Sequence, residues 1–321
     1  MPQPFSLTGG NMKYSGVGGQ AVMEGVMMKN KNRYAVAVRK PDHEIEVMTK
    51  EYKGIVPGEI WQKIPLVRGV LSFIDSLVLG MSTLMYSASF FEDEDESEKE
   101  KQKDSPEKMK AKENAMMGGT VALSVILAIA IFMILPYYLS VFCSRFIESD
   151  MIVAVLEGIL RLAIFIGYIV VISKMKEIQR VFMYHGAEHK TINCLEAGVP
   201  LTPENVDNFS RLHKRCGTSF IFIVMIISMV FFFFIRVDTI WLRIVLRLLF
   251  LPLVAGVSYE FIRLAGSSDH PLVQIFSKPG LALQRLTTKE PDHSMIEVAI
   301  ASVEGVFDWR EYLENLHKGE Q

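Results

Sequence analysis

Four long apolar stretches, residues 117–143, 151–173, 218–235 and 239–264, constrain this chain more than anything else in it. Each comes near the roughly 20 residues that an α-helix needs to cross a bilayer, and half of the 321 residues are hydrophobic. The first stretch carries no charge until Arg145. The second holds Glu157 and Arg161, and the fourth holds Arg243, Arg247, Glu260 and Arg263. Such groups are costly against lipid and belong on faces turned to protein or to the interface. Glu157 and Arg161 stand four apart with the acid first, the order that favours an intrahelical pair. The connectors 144–150 and 236–238 have length only for tight turns between antiparallel spans. The expected fold is mainly α: a polytopic helical membrane protein with about four transmembrane helices and a small α/β cytoplasmic part.

Charge sets the expected orientation. Residues 174–217, between the second and third spans, contain Lys174, Lys176, Arg180, Lys190, Arg211, Lys214 and Arg215. Cytoplasmic loops carry such an excess of Lys and Arg, so this loop is expected in the cytoplasm, and with four spans both termini share that side. The expected location is therefore the inner (plasma) membrane, multi-pass. The three cysteines, Cys143, Cys194 and Cys216, are widely spaced and odd in number, which argues against a disulfide framework and suits a reducing compartment. A net charge of −2 provides no basic field for nucleic acid. The first residues lack the apolar core of a cleavable signal peptide.

The remaining segments fall into four kinds. Residues 13–60 read as a small soluble β-containing module: Tyr34–Arg39 and Glu44–Thr49 have strand character on either side of a turn at Lys40–His43. Gly18, Gly19 and Gly25 before them, with Glu24, suggest backbone packed closely against another element. Residues 65–91 are apolar but carry Arg68 and Asp75, and read as an amphipathic, membrane-associated helix, a fifth span only if it crosses. Residues 92–116 are a charged linker that opens on consecutive acids. Residues 117–265 form the four-span region with its cytoplasmic loop, and 266–321 a cytoplasmic tail. In that tail an apolar stripe through Ile296, Val303 and Phe307 predicts one amphipathic helix over 294–317.

Chemistry concentrates in His185-Gly186-Ala187-Glu188-His189. On a helix, positions four apart share a face, so both imidazoles can reach one metal ion while Glu188 handles a proton. The H-x-x-E-H order is the inverted zincin signature. A helix over 179–196 extends the stripe to Asn193 and Glu196. A catalytic zinc takes three protein ligands; Glu196 is the expected third, with Cys194 and the pair His213/Cys216 as further candidates and Asp269, His270 and Glu290 more distant ones. His213 and Cys216 also read as part of a basic collar in which Cys216 is a small core residue. The plain alternative for the whole motif is a polar helix end at the membrane surface. A P-loop and a G-x-S-x-G elbow are both absent from the sequence.

Five stretches, 19–29, 65–70, 184–198, 213–220 and 283–300, together resemble the YqhQ-like family of bacterial membrane proteins, a domain of unknown function labelled as a metal-dependent enzyme. The resemblance covers nearly the whole chain and implies that these motifs belong to one membrane-associated unit. Its metal label is read from the HGAEH motif itself, and it implies no substrate. Two functions are open. One is a membrane-embedded hydrolase dependent on a divalent metal such as zinc, acting at the cytoplasmic face, with His185, His189 and Glu196 as ligands and Glu188 as base. The other is a non-catalytic membrane factor that binds a translocation, insertion or transport complex, in which HGAEH is a structural hinge. A transporter lined by Glu157, Arg161 and Glu260 is a weaker third. Expected partners are membrane lipid and another membrane protein complex; a homo-oligomer is compatible with all three.

Overall fold

The computed structural model describes residues 14–56, 59–91, 106–235, 237, 239–268 and 270–318. The acidic opening of the linker, 92–105, and Asp269 lie outside the described residues. The chain is mainly helical and divides into two compact units, one from residues 1–91, 172–224 and 252–321, the other from 92–171 and 225–251.

The first unit is built on a four-stranded antiparallel meander in sequence order: β1 (Val17–Val22), β2 (Gly25–Asn30), β3 (Arg33–Arg39) and β4 (Ile45–Glu51). β3 and β4 form the hairpin that the turn at Lys40–His43 predicts. The glycine-rich segment before it is also a hairpin, β1 and β2, turning at Met23-Glu24 with Glu24 at a φ of 48°. Side chains alternate across a strand, and both faces of this sheet are buried. Val26, Met28, Ala35 and Ala37 face the helices Lys176–Glu196 and His293–Val306, meeting Tyr184, Ile192, Met295, Ile296 and Val303. Val22, Met27, Tyr34, Val36 and Val38 face the other way, against Leu79 of the helix Val67–Ala88. Full burial of each large apolar side chain here is worth about 1.5–3 kcal/mol. The sheet is thus the middle layer of the unit.

The single tail helix expected over 294–317 is two helices, His293–Val306 and Trp309–Lys318. The break has a local cause. Asp308 accepts the N–H groups of Arg310 and Glu311 (both 3.0 Å), the capping geometry that starts a new helix. Asp292 caps the first in the same way, accepting from the Met295 N–H at 3.0 Å.

In the second unit the helix Pro106–Ile129 passes through a π-helical turn, Ala130–Ile134, into Leu135–Cys143. Pro136 lies at the start of that last segment and has no N–H to return to the preceding turn. A wider turn at this point accommodates the missing bond.

Among the described residues, four helices are long and apolar enough to cross a membrane: Val67–Ala88, Gly118–Phe146, Met151–Ile172 and Trp241–Gly266. The apolar helix Gly217–Phe233 is shorter, at 17 residues. By length and composition Val67–Ala88 joins the set and 218–235 falls just short, but Leu79, Thr83 and Ser87 of Val67–Ala88 lie against the sheet, as the amphipathic reading of 65–91 expects. The charges that argued against Val67–Ala88 are both engaged. Arg68 forms a bidentate pair with Glu260, and Asp75 accepts from the Tyr52 hydroxyl (3.0 Å) and the Ile55 N–H (2.7 Å).

Candidate metal centre

The HGAEH motif lies in the helix Lys176–Glu196, whose C-terminal half is buried throughout. A glycine inside a helix costs about 1 kcal/mol relative to alanine, and Gly186 has a structural reason to be there. The extended segment after Thr287 crosses the helix at this point, with the Lys289 N–H donating to the Phe182 carbonyl at 2.8 Å. A Cβ at position 186 would run into the Lys289 carbonyl. The missing side chain lets that segment come down, and the Thr287 carbonyl then takes the His185 Nδ1 at 2.9 Å.

His189 is held in the same manner by the Arg211 carbonyl, 2.7 Å from its Nδ1. A carbonyl only accepts, so each Nδ1 carries a proton, and Nε2 is the nitrogen that would face an ion. The third group is Cys216. Its Sγ lies 3.3 Å from His185 Nε2 and receives the Thr218 N–H at 3.3 Å. One ligand atom from each of His185, His189 and Cys216 falls within 4.8 Å of the others. The loop that supplies Arg211 and Cys216 is itself fixed. Asn193 Nδ2 donates to the Ser210 and Leu212 carbonyls (2.7 and 3.1 Å), and the buried Gln284 amide accepts from the His213 N–H and donates to its carbonyl (2.9 and 2.8 Å).

Glu188 points to the sheet. The Gly19 N–H donates to it, and a Cβ on Gly19 would press on the Glu188 Cγ at 3.3 Å and the Met28 sulfur at 2.8 Å. Its Oε2 is buried without a hydrogen-bond partner. Burial pushes the Glu188 carboxyl above its ordinary value, more than the nearby histidines pull it down. Burial opposes ionisation of Cys216 too, but His189 and His185 outweigh it and hold the thiol well below its usual range. For His185, burial disfavours the cation, yet the facing thiolate and Glu188 lift its pKa to about 9. Of the three grouped side chains, His185 is the partly exposed one.

The other residues singled out in the sequence lie elsewhere. Glu196 is on the expected stripe but turned to a different cluster: Ser15 N–H and Oγ (3.1 and 3.0 Å), Arg215 (2.5 Å) and His213 (3.8 Å). These partners occupy its carboxylate, and Cys216 stands beside the histidines in its place. Cys194 is buried against the Val199 and Pro200 carbonyls, with its pKa pushed by burial to about 12. Glu290 pairs with Lys190 (2.8 Å) and Arg211 (3.1 Å). Cys216 was legible only as a candidate beside His213, because the contact that matters spans 31 positions and needs the loop closed over the helix.

The donor set suits a zinc-type ion: two imidazole nitrogens and a thiolate are ordinary zinc ligands. Ligating histidines commonly donate their second ring N–H to a backbone carbonyl, and both do so here. An unpartnered buried carboxylate oxygen next to them completes the fit. Among the described residues, fold and site together define a mainly helical protein with four helices long and apolar enough to span a bilayer, a small sheet, and a His-His-Cys cluster. The chain belongs to the family described as Protein of unknown function (DUF1385), which matches residues 64–309. It is 37% identical over 297 residues to the Uncharacterized protein YqhQ of Bacillus subtilis (strain 168), covering 89% of this chain and 90% of that one. No solved structure matches it.

Proposed function

We propose that the chain is a multi-pass protein of the plasma membrane carrying a metal-dependent hydrolytic centre at its cytoplasmic face. His185 and His189, through Nε2, and Cys216, through Sγ, would hold a divalent ion of the zinc type. The observation that carries this reading is the convergence of these three ligand atoms within 4.8 Å while backbone carbonyls orient both rings from behind. When bound, such an ion supplies Lewis-acid polarisation and acidifies water near neutral pH. Glu188 takes up the proton at Oε2, the oxygen left without a partner. Burial raises its pKa, the direction that makes a carboxylate a stronger base. Gly19 keeps the carboxylate in place, and His185 is the partly exposed member of the set. The excess of Lys and Arg over 174–217 supports the cytoplasmic orientation.

Metal analysis of purified full-length protein tests the proposal. One equivalent of metal is expected, lost in His185→Ala and Cys216→Ser and retained in Glu188→Gln. Metal-free wild-type protein, or loading indifferent to His185 and Cys216, overturns it. The non-catalytic reading would gain if metal were held stoichiometrically and Glu188→Gln fully replaced the wild type in cells.

A further inference from the structure

The second unit buries a cluster of charge that the metal centre does not use. Glu157 and Arg161, on the helix Asp150–Ile172, meet Arg247 of the helix Ile240–Ser267. Arg247 grips the Glu157 carboxylate through both terminal nitrogens (2.5 and 3.1 Å), and Arg161 Nη2 reaches Oε1 of the same carboxylate at 2.9 Å. All three side chains are more than nine-tenths buried, at 7–9% exposure. Both guanidinium groups lie 5.2 Å from the centre of the Phe232 ring.

One carboxylate thus serves two arginines. Arginine stays protonated in proteins, so the cluster keeps one positive charge in excess. A ring face offsets part of that charge, but two hydrogen-bond donors remain unused: the Nε–H groups of Arg161 and Arg247 are buried with no acceptor. A buried charge is strongly disfavoured unless paired. Arg247 also opens onto a narrow pocket whose lining includes Arg243, Tyr137, Met133 and Ile134. The last two belong to the π-helical turn Ala130–Ile134, a feature frequent at functional sites. Arg243 Nε donates to the Val237 carbonyl at 2.9 Å and its guanidinium lies over the Tyr137 ring, so a second cationic head is fixed at the pocket wall.

We propose that this pocket binds one small monovalent anion of halide size, as counter-charge to the surplus arginine. One negative charge balances the cluster. Met133, Ile134 and Ile244 contribute no competing acceptor, and the space is about that of a single water-sized particle.

Thermal unfolding of the full chain in detergent, at constant ionic strength in sodium chloride, bromide or gluconate, tests this. Gluconate is too large for the pocket. The halides are expected to raise Tm by about 3 °C, saturably, because ligands that bind only the folded state stabilise it by mass action. Arg161→Gln removes the surplus charge while leaving the Glu157–Arg247 pair, and should abolish the difference between salts. Should that variant fail to fold, bromide-soaked crystals of the wild type should show an anomalous peak beside Arg247. Unfolding identical in the three salts, a halide shift that survives in Arg161→Gln, or stabilisation supplied only by added anionic phospholipid would each overturn the proposal; the last would assign the site to a lipid phosphate.

Discussion

His185, His189 and Cys216 are held from outside their cluster, whereas Glu157, Arg161 and Arg247 hold one another. In the first case the fixing groups are backbone carbonyls at Thr287 and Arg211 and an N–H at Thr218, delivered by two separated segments, the loop that runs into Gly217–Phe233 and the chain at Thr287. In the second, the partners sit on two helices and bond side chain to side chain. The difference is one of what is left over. External fixing turns the two imidazoles and the thiolate toward a common place. Mutual pairing uses the carboxylate up and leaves only donors. Reactive geometry thus depends on the tertiary fold in one cluster and on helix packing in the other, and substitutions should separate the two.

The largest loss is expected from Glu157→Leu. Two buried guanidinium groups would lose their shared carboxylate, and stripping one member from a buried ion cluster costs about 3–5 kcal/mol. Unfolding midpoints in detergent should fall accordingly, while metal content per folded chain should stay unchanged. Loss of metal along with stability would show that the two clusters are not independent.

Next comes Gly186→Ala. Helix propensity alone favours alanine by about 1 kcal/mol, so a stabilised variant would refute the close approach of Lys289. The expected result is the reverse: a loss of about 1–3 kcal/mol from overpacking, with metal loading reduced because the Thr287 carbonyl can no longer reach His185. Asn193→Ala should be milder. It removes two bonds to the 208–216 loop and leaves the Ser210 and Leu212 carbonyls wanting partners, about 1–2 kcal/mol. Its signature should be weaker metal affinity rather than absent metal, read by chelator competition.

Helical periodicity made the motif helix and the placement of His185, Glu188 and His189 on it readable, since spacing within one helix is local information. The β3–β4 hairpin was readable for the same reason, through alternation and a turn. The choice between Glu196 and Cys216 was not. Helical spacing places Glu196 on the stripe, but the direction of its carboxylate is set by Ser15 and Arg215, which approach from distant parts of the chain. The amphipathic character of Val67–Ala88 was legible from Arg68 and Asp75, but their partners Glu260 and Tyr52 only tertiary structure reveals. Likewise the break at Asp308 is a capping decision hidden inside a continuous apolar stripe.

The smallest change, and the one with the opposite sign, is expected from Glu188→Gln. Glu188 is buried, has one oxygen without a partner, and titrates above its ordinary value. A carboxyl whose pKa is raised on folding binds its proton more tightly in the folded state. Above the unfolded pKa near 4.5 the folded protein must either keep a proton that the unfolded chain has released or bear a buried charge, so stability declines as pH rises from there toward the folded pKa. Glutamine has the same shape and no charge. In metal-free protein at pH 7 it should therefore stabilise by about 1 kcal/mol, and the gain should vanish below pH 4.5, where glutamate is neutral in both states. Parallel unfolding curves of wild type and variant across this range, with chelator present, measure it directly. A variant less stable than wild type at pH 7 would mean that the carboxylate is structural and the base assignment fails. A more stable one would mark Glu188 as a residue kept at a cost to the fold, which Glu157, fully paired between two arginines, is not.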